Sequence, residues 1–166
     1  TEIYTLSLHD ALPICNRQRT CPLHTPTLVR AAQHLLEHEL RLRTYALGLH
    51  LLSLPAMIAL NQRWLNHAGP TDVITFDHRT DDPTLELYGE VFLCPLQARR
   101  QAPQFHIDWT RELARHLVHG ILHLQGFDDR KSHLRAQMKR RENLLLRRLG
   151  QAIDLRQISG EPSPKS

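Results

Sequence analysis

His119-Gly120-Ile121-Leu122-His123 places two histidines at i and i+4. On an α-helix, with about 3.6 residues per turn and a rise of about 1.5 Å, their rings share one face a turn apart, close enough to hold one divalent cation. Neutral imidazole is a good zinc ligand, and a helix presents the pair before the metal arrives. Three residues after His123, Gly126 can end the helix and turn the chain back, so that Asp128 or Asp129 reaches the same ion. In a chain with 12 histidines the spacing alone is weak. In an apolar core helix, followed by a helix-breaking glycine and two carboxylates, it favours a metal.

A protease of the H-E-x-x-H kind needs Glu directly after the first histidine as general base, and this chain has Gly120 there. The peptidase reading loses its base while the metal geometry survives, and a metal with an open position still polarises a water or a phosphoryl oxygen. The charge distribution suggests which oxygen. Residues 130 to 156 carry nine Lys/Arg against Glu142 and Asp154, a local balance of +7 in a chain whose net charge is +4, so the remainder sums to −3. Eighteen arginines against three lysines favour bidentate phosphate contact. Beside such a helix the natural substrate is a phosphodiester. No general base stands out.

These groups need a scaffold, and 166 residues provide one domain with one substantial core. Thr25-Pro26 with Leu28, Ala31, Ala32, Leu35 and Leu36 predicts an amphipathic helix opened by proline. Tyr45 to Leu52 alternates as a half-buried strand, and Ser53-Leu54-Pro55 caps a helix running through Met57, Leu60, Asn61 and Trp64. Short strands follow at Val73–Phe76 and Tyr88–Cys94, then a helical start at Leu96 interrupted by Pro103. Trp109 to Leu124 is the longest helical pattern, apolar on more than one face and therefore a core helix. Gly126 ends it, and Arg130 to Leu149 forms a basic amphipathic helix. Trp64 and Trp109 are expected in the core, and His116 as a partly exposed bystander. Glu112, two turns before His119 on the same face, is expected to orient a ligand ring or pair with a base.

Three cysteines without paired spacing fit a reduced, cytoplasmic chain. No apolar run is long enough to span a membrane, and no signal-peptide pattern opens the sequence. Thr1 to Ile14, TEIYTLSLHDALPI, reads as a translated sequencing adapter, so residues 1–15 are expected to be an artefactual or disordered prefix. Residues 16–158 then form the domain and 159–166 a frayed tail.

The run HLVHGILHLQGFDD, His116 to Asp129, resembles the signature of the YbeY family of metal-dependent endoribonucleases, His-Gly-x-Leu-His-Leu-x-Gly-Tyr/Phe-Asp-His. Leu60-Asn61-Gln62-Arg63-Trp64 with Gly69-Pro70-Thr71-Asp72-Val73-Ile74-Thr75-Phe76, and Gly89-Glu90-Val91-Phe92-Leu93-Cys94, resemble two further family blocks in the same order. The resemblance covers about residues 25 to 149. It implies an α/β (α+β) fold, a small mixed β-sheet packed against helices with the His-x-x-x-His site on a core helix. It also implies one zinc ion per chain, another divalent ion being possible. The implied function is single-strand-specific endoribonuclease activity in rRNA maturation, at the 16S 3′ end, and in ribosome quality control, with rRNA and the small subunit as partners. His119 and His123 fall on the first two ligands. The third, a histidine in the family, registers on Asp129, with His133 as the alternative. Arg63, Thr71, Asp72, Arg130 and Arg135 are the candidate RNA contacts. Two other functions remain open at this point, a ribosome-assembly RNA-binding factor with a structural metal and a metal-dependent hydrolase of a small substrate.

Overall fold

The structure, a computed structural model, describes residues 12–162. Four strands form one mixed sheet in the order β1-β2-β4-β3: Ile14–Asn16 (β1), Tyr45–Leu51 (β2), Val73–Asp77 (β3) and Leu87–Leu93 (β4). β1 and β4 run parallel to β2, while β3 is antiparallel to β4 at an edge. The parallel β2–β4 pair requires a crossover, supplied by the helix Leu54–Leu65 (α2) and β3. The Ser53 hydroxyl starts α2 by accepting the Ala56 N–H.

Strict alternation decides which face is buried. Leu47, Leu49 and Leu51 of β2, with Leu87, Val91 and Leu93 of β4, turn into the main core. There they meet the helix Thr25–His34 (α1), the helix Trp109–Leu124 (α4) and the helix Ser132–Ala152 (α5). On the opposite face Met57 of α2 packs with Leu52, Ile74 and Cys94 in a smaller cluster. A further helix, Pro95–Gln101 (α3), passes at Ala102 into a 3-10 turn over Ala102–Phe105 that contains Pro103.

Gly120 sets how closely α4, the helix that carries His119 and His123, approaches β3 and β4. A Cβ on Gly120 of α4 would lie 2.9 Å from Val73 Cγ2, 3.0 Å from Val91 Cγ1 and 3.3 Å from Thr75 Cγ2. The side of α4 where a metalloprotease carries its glutamate is thus pressed against β3 and β4, with no space for a side chain.

Several expectations need correction. Residues 1–11 lie outside the described residues, but residues 12–15 of the expected prefix belong to the fold. Leu12 is 4% exposed in the main core, and β1 pairs with β2 over Ile14↔Leu49, Cys15↔His50 and Asn16↔Leu51. The apolar Leu12 and Ile14 extend the sheet and its core, which moves the boundary back. At the other end Ser159 bridges to Leu23 and the Gly160 N–H donates to Pro22 O, so the tail is tied down at least that far. Trp109 packs against the core as expected, but Trp64 is 59% exposed. It meets the edge strand only edge-on, through Phe76.

Candidate metal centre

The site begins with the way α4 stops. After Leu124 the Gly126 N–H donates to His123 O and the Phe127 N–H to Leu122 O, with Gly126 at φ +93°. This is a Schellman closure, whose left-handed position glycine occupies without a Cβ penalty. Phe127 packs against the core and fixes the reversal. The chain therefore turns back along the last turn of α4 and carries Asp129 to the two imidazoles.

His119 Nε2 and His123 Nε2 lie 3.0 Å apart, and Asp129 Oδ2 lies 3.4 Å from the first and 3.7 Å from the second. Ligands at zinc distances of about 2.0–2.1 Å in tetrahedral array stand about 3.3–3.4 Å apart. The three observed edges bracket that value, and among the described residues this is the one group of His, Cys, Asp or Glu side chains so converged.

Protonation sharpens the fit. His119 Nδ1 lies 2.7 Å from Glu142 Oε2 and His123 Nδ1 lies 3.1 Å from Phe127 O. A carboxylate and a carbonyl only accept, so in each neutral ring the proton is assigned to Nδ1. Both Nε2 lone pairs then face each other and the Asp129 carboxylate, three acceptors without a donor between them. A bound cation satisfies all three. Burial, with the His119 ring beside it, pushes the His123 pKa down and keeps that imidazole neutral and ready to ligate.

Behind the rings lies a buried network of charge. Glu142 of α5 is 1% exposed, and its Oε1 accepts from Lys139 Nζ at 2.9 Å and from Arg115 Nη1 at 3.3 Å. Burial alone would raise its pKa, but hydrogen bonds from His119 and Lys139 and the charges of Lys139 and Arg115 prevail and hold it at about 2. Arg115 is clamped in turn by Glu112, also fully buried, whose pKa is lowered to about 2 by Arg115 and His116 against the same desolvation. Glu112 thus pairs with a base and orients no metal-facing ring. His116, expected as a bystander, is 1% exposed and lies 3.0 Å from Gln101 Oε1 and 3.1 Å from Glu112 Oε1.

The other sequence-derived candidates scatter. His133 is exposed at the start of α5, outside the converged group. Asp72 accepts from Gln101 Nε2 at 2.5 Å and stays partly exposed beside Thr71. Arg63 is exposed, its guanidinium 5.5 Å from the Trp64 ring centre. Arg130 is forked onto Asp128, and Arg135 donates to Asp129 O at 2.9 Å, bracing the loop that presents the third carboxylate. Arg135 is therefore engaged with the loop backbone. His123 and Asp129 border a concavity of about 350 Å³ that Gly126, Phe127, Asp128 and Arg130 complete. A larger one of about 960 Å³, near His24, Trp109 and Arg156, contains none of the converged side chains.

Sequence reasoning did not single out Glu142. It is the only acid in the 21 residues of α5, and it falls on the same stripe as the buried Met138, Leu145 and Leu149. A lone acid on the apolar stripe of a basic helix was the available signal.

The family model described as Endoribonuclease YbeY matches residues 13–150. A Thermotoga petrophila protein named Endoribonuclease YbeY is 42% identical over 77 residues, 44% of this chain and 49% of the relative. A Parafrankia protein of the same name is 38% identical over 111 residues, 60% of this chain and 69% of the relative. The chain thus spans from about half to about two thirds of the length of these curated relatives. A solution structure of a Thermotoga maritima protein superposes with a TM-score of 0.61 at 24% identity, covering 92% of this chain and 99% of that one. At that identity the likeness speaks to the fold.

Proposed function

The chain belongs to the YbeY family, described as endoribonucleases, and from that premise we propose that it is a metal-dependent endoribonuclease cutting single-stranded RNA. The observation that carries the reading is the convergence of His119 Nε2, His123 Nε2 and Asp129 Oδ2, three acceptors at 3.0–3.7 Å with no donor between them. These side chains would hold one zinc ion, with Asp129 in the place of the family's third histidine. Carboxylate oxygen is an acceptable zinc ligand and makes the site harder, hence more tolerant of other divalent ions.

When bound, the metal supplies Lewis acidity, polarising a water or the scissile phosphoryl oxygen. The protein's own residues do the rest. Glu142 and Phe127 O hold the two rings with their Nε2 lone pairs converging, and the Schellman turn with Arg135 holds the Asp129 loop. The three side chains are 23%, 28% and 40% exposed, which leaves the outer side of the donor set open to a phosphodiester. Arg130 stands at that mouth. Arg63, Thr71 and Asp72 would contact the RNA further along its backbone. rRNA is the proposed substrate, at the 16S 3′ end, with the small subunit as partner in the cytoplasm. No helix among the described residues is long and apolar enough to cross a membrane.

The test replaces His119 and His123 singly by alanine and measures bound zinc and cleavage of a labelled single-stranded RNA. Both are expected to fall to background. Full cleavage by a metal-free variant would sink the proposal.

A further inference from the structure

We propose that Glu142 is a positioning residue for the metal centre. By accepting the Nδ1 proton of His119 it fixes that ring in the tautomer that leaves Nε2 bare, and it brings a negative charge from α5 to the back of the site. The inference rests on the metal-binding reading of His119 and His123 and extends it to a residue outside the sequence signature.

Three observations carry it. The contact is short, 2.7 Å, and directed at the nitrogen that faces away from the converged group. A free neutral imidazole has no such partner to select its tautomer, whereas a carboxylate acceptor at Nδ1 selects it and raises the basicity of Nε2. Second, the carboxylate cannot swing away. It is 1% exposed, with its other oxygen engaged by Lys139 at 2.9 Å and Arg115 at 3.3 Å, and Arg115 is itself clamped by Glu112. Third, burying a carboxylate among apolar residues is costly unless it is paired, and the partners of Glu142 outside α5 are His119 and Arg115 of α4. The contact therefore ties the helix that bears the metal ligands to the basic helix, so that metal binding and the docking of α5 support each other.

The equivalent contact at His123 is made by a backbone carbonyl, Phe127 O at 3.1 Å, which no side-chain substitution removes. His119 is thus the ring whose orientation depends on one side chain. Arg115→Ala removes the weaker of the two cations on the far oxygen of Glu142 while Lys139 and the His119 contact remain, so it separates disturbance of the buried network from loss of the acceptor.

The experiment uses the full chain stripped of metal. Zinc affinity is measured by competition with a chromogenic chelator for the wild type, Glu142→Ala, Glu142→Gln, Arg115→Ala and His123→Ala. The tautomer of His119 is read in the apo proteins at pH 8 from two-bond nitrogen–proton correlation spectra. Loss of a ligand-orienting carboxylate costs about 10–100-fold in metal affinity. Glu142→Ala is expected to show that loss together with a His119 that no longer favours the Nδ1 proton. Glu142→Gln, whose amide oxygen still accepts, keeps the tautomer and loses affinity by a smaller factor. Arg115→Ala lowers the unfolding midpoint but keeps the tautomer.

Wild-type affinity in a folded Glu142→Ala protein would overturn the proposal. So would a wild-type apo protein whose His119 carries its proton on Nε2, a reading that holds even if the alanine variant does not fold. Failure of the metal reading is distinguishable, since the wild type and His123→Ala would then bind zinc equally or not at all.

Discussion

Replacing Gly120 by alanine sets helix propensity against packing, and the structure decides the sign. In a helix interior alanine is favoured over glycine by about 1 kcal/mol. The added Cβ, however, would lie 2.9 and 3.0 Å from methyl carbons of Val73 and Val91 and 3.3 Å from one of Thr75, whereas carbons rest at about 3.5–4.0 Å. All three neighbours are β-branched residues on paired strands, with little rotamer freedom to yield. Relief must come from α4 lifting off the sheet by several tenths of an ångström. Overpacking of this kind costs about 1–3 kcal/mol, so the expected net change is a loss of about 1 kcal/mol. That corresponds to a melting temperature lower by about 2–4 °C for a chain of this size. The same lift moves His119 and His123 relative to Asp129, which sits on the following loop, and zinc affinity should fall severalfold. Urea unfolding of the apo protein measures the first effect and chelator competition the second. A Gly120→Ala protein that gains the 1 kcal/mol of propensity and binds zinc like the wild type would refute the close-approach argument.

Further outcomes follow from other contacts. Zinc at a hundredfold excess over its dissociation constant should stabilise the fold by about 2.7 kcal/mol, seen as a rise in melting temperature that EDTA reverses and that His119→Ala abolishes; an equal rise in that variant would place the ion elsewhere. Asp129→His restores a third nitrogen donor and should shift preference from manganese toward zinc, measured by competition between the two ions. Glu112 has a folded pKa of about 2 against an ordinary value of 4.5. Its contribution, on the order of 3 kcal/mol, is present above pH 4.5 and lost as pH falls toward 2. Urea midpoints between pH 6 and 2 should decline less steeply in Glu112→Gln, and equal slopes would contradict the assignment. Arg135→Ala releases the Asp129 carbonyl and should weaken zinc binding severalfold with an unchanged unfolding midpoint.

What was legible in the sequence was what local pattern encodes. The span of α4, its end at Gly126, the proline-opened and serine-capped helices and the alternating strands all depend on residues within a turn or two of one another. The partnership of His119 and Asp129 also lay within one helix and one turn. What escaped depends on contacts distant along the chain. Glu142 stands 23 residues from His119 and is brought to it by the packing of α5 on α4. His116 is buried and bonded to Gln101, 15 residues earlier, through the packing of α3 on α4. Trp64 stands in the exposed last turn of α2 and meets Phe76, 12 residues later in β3, edge-on, a placement that helical spacing alone does not encode. Ile14 and Cys15 belong to the sheet because β2 offers them an edge, whatever their origin in the sequence.

On the proposed function, RNA cleavage depends on one metal held by His119, His123 and Asp129. The decisive measurement titrates zinc into the stripped full chain while following cleavage of a labelled single-stranded RNA. Cleavage is expected to be negligible without metal, to rise and saturate at one equivalent of zinc per chain, and not to rise in the His119→Ala or His123→Ala protein. Undiminished cleavage by the stripped chain, or recovery by zinc in either variant, would contradict it.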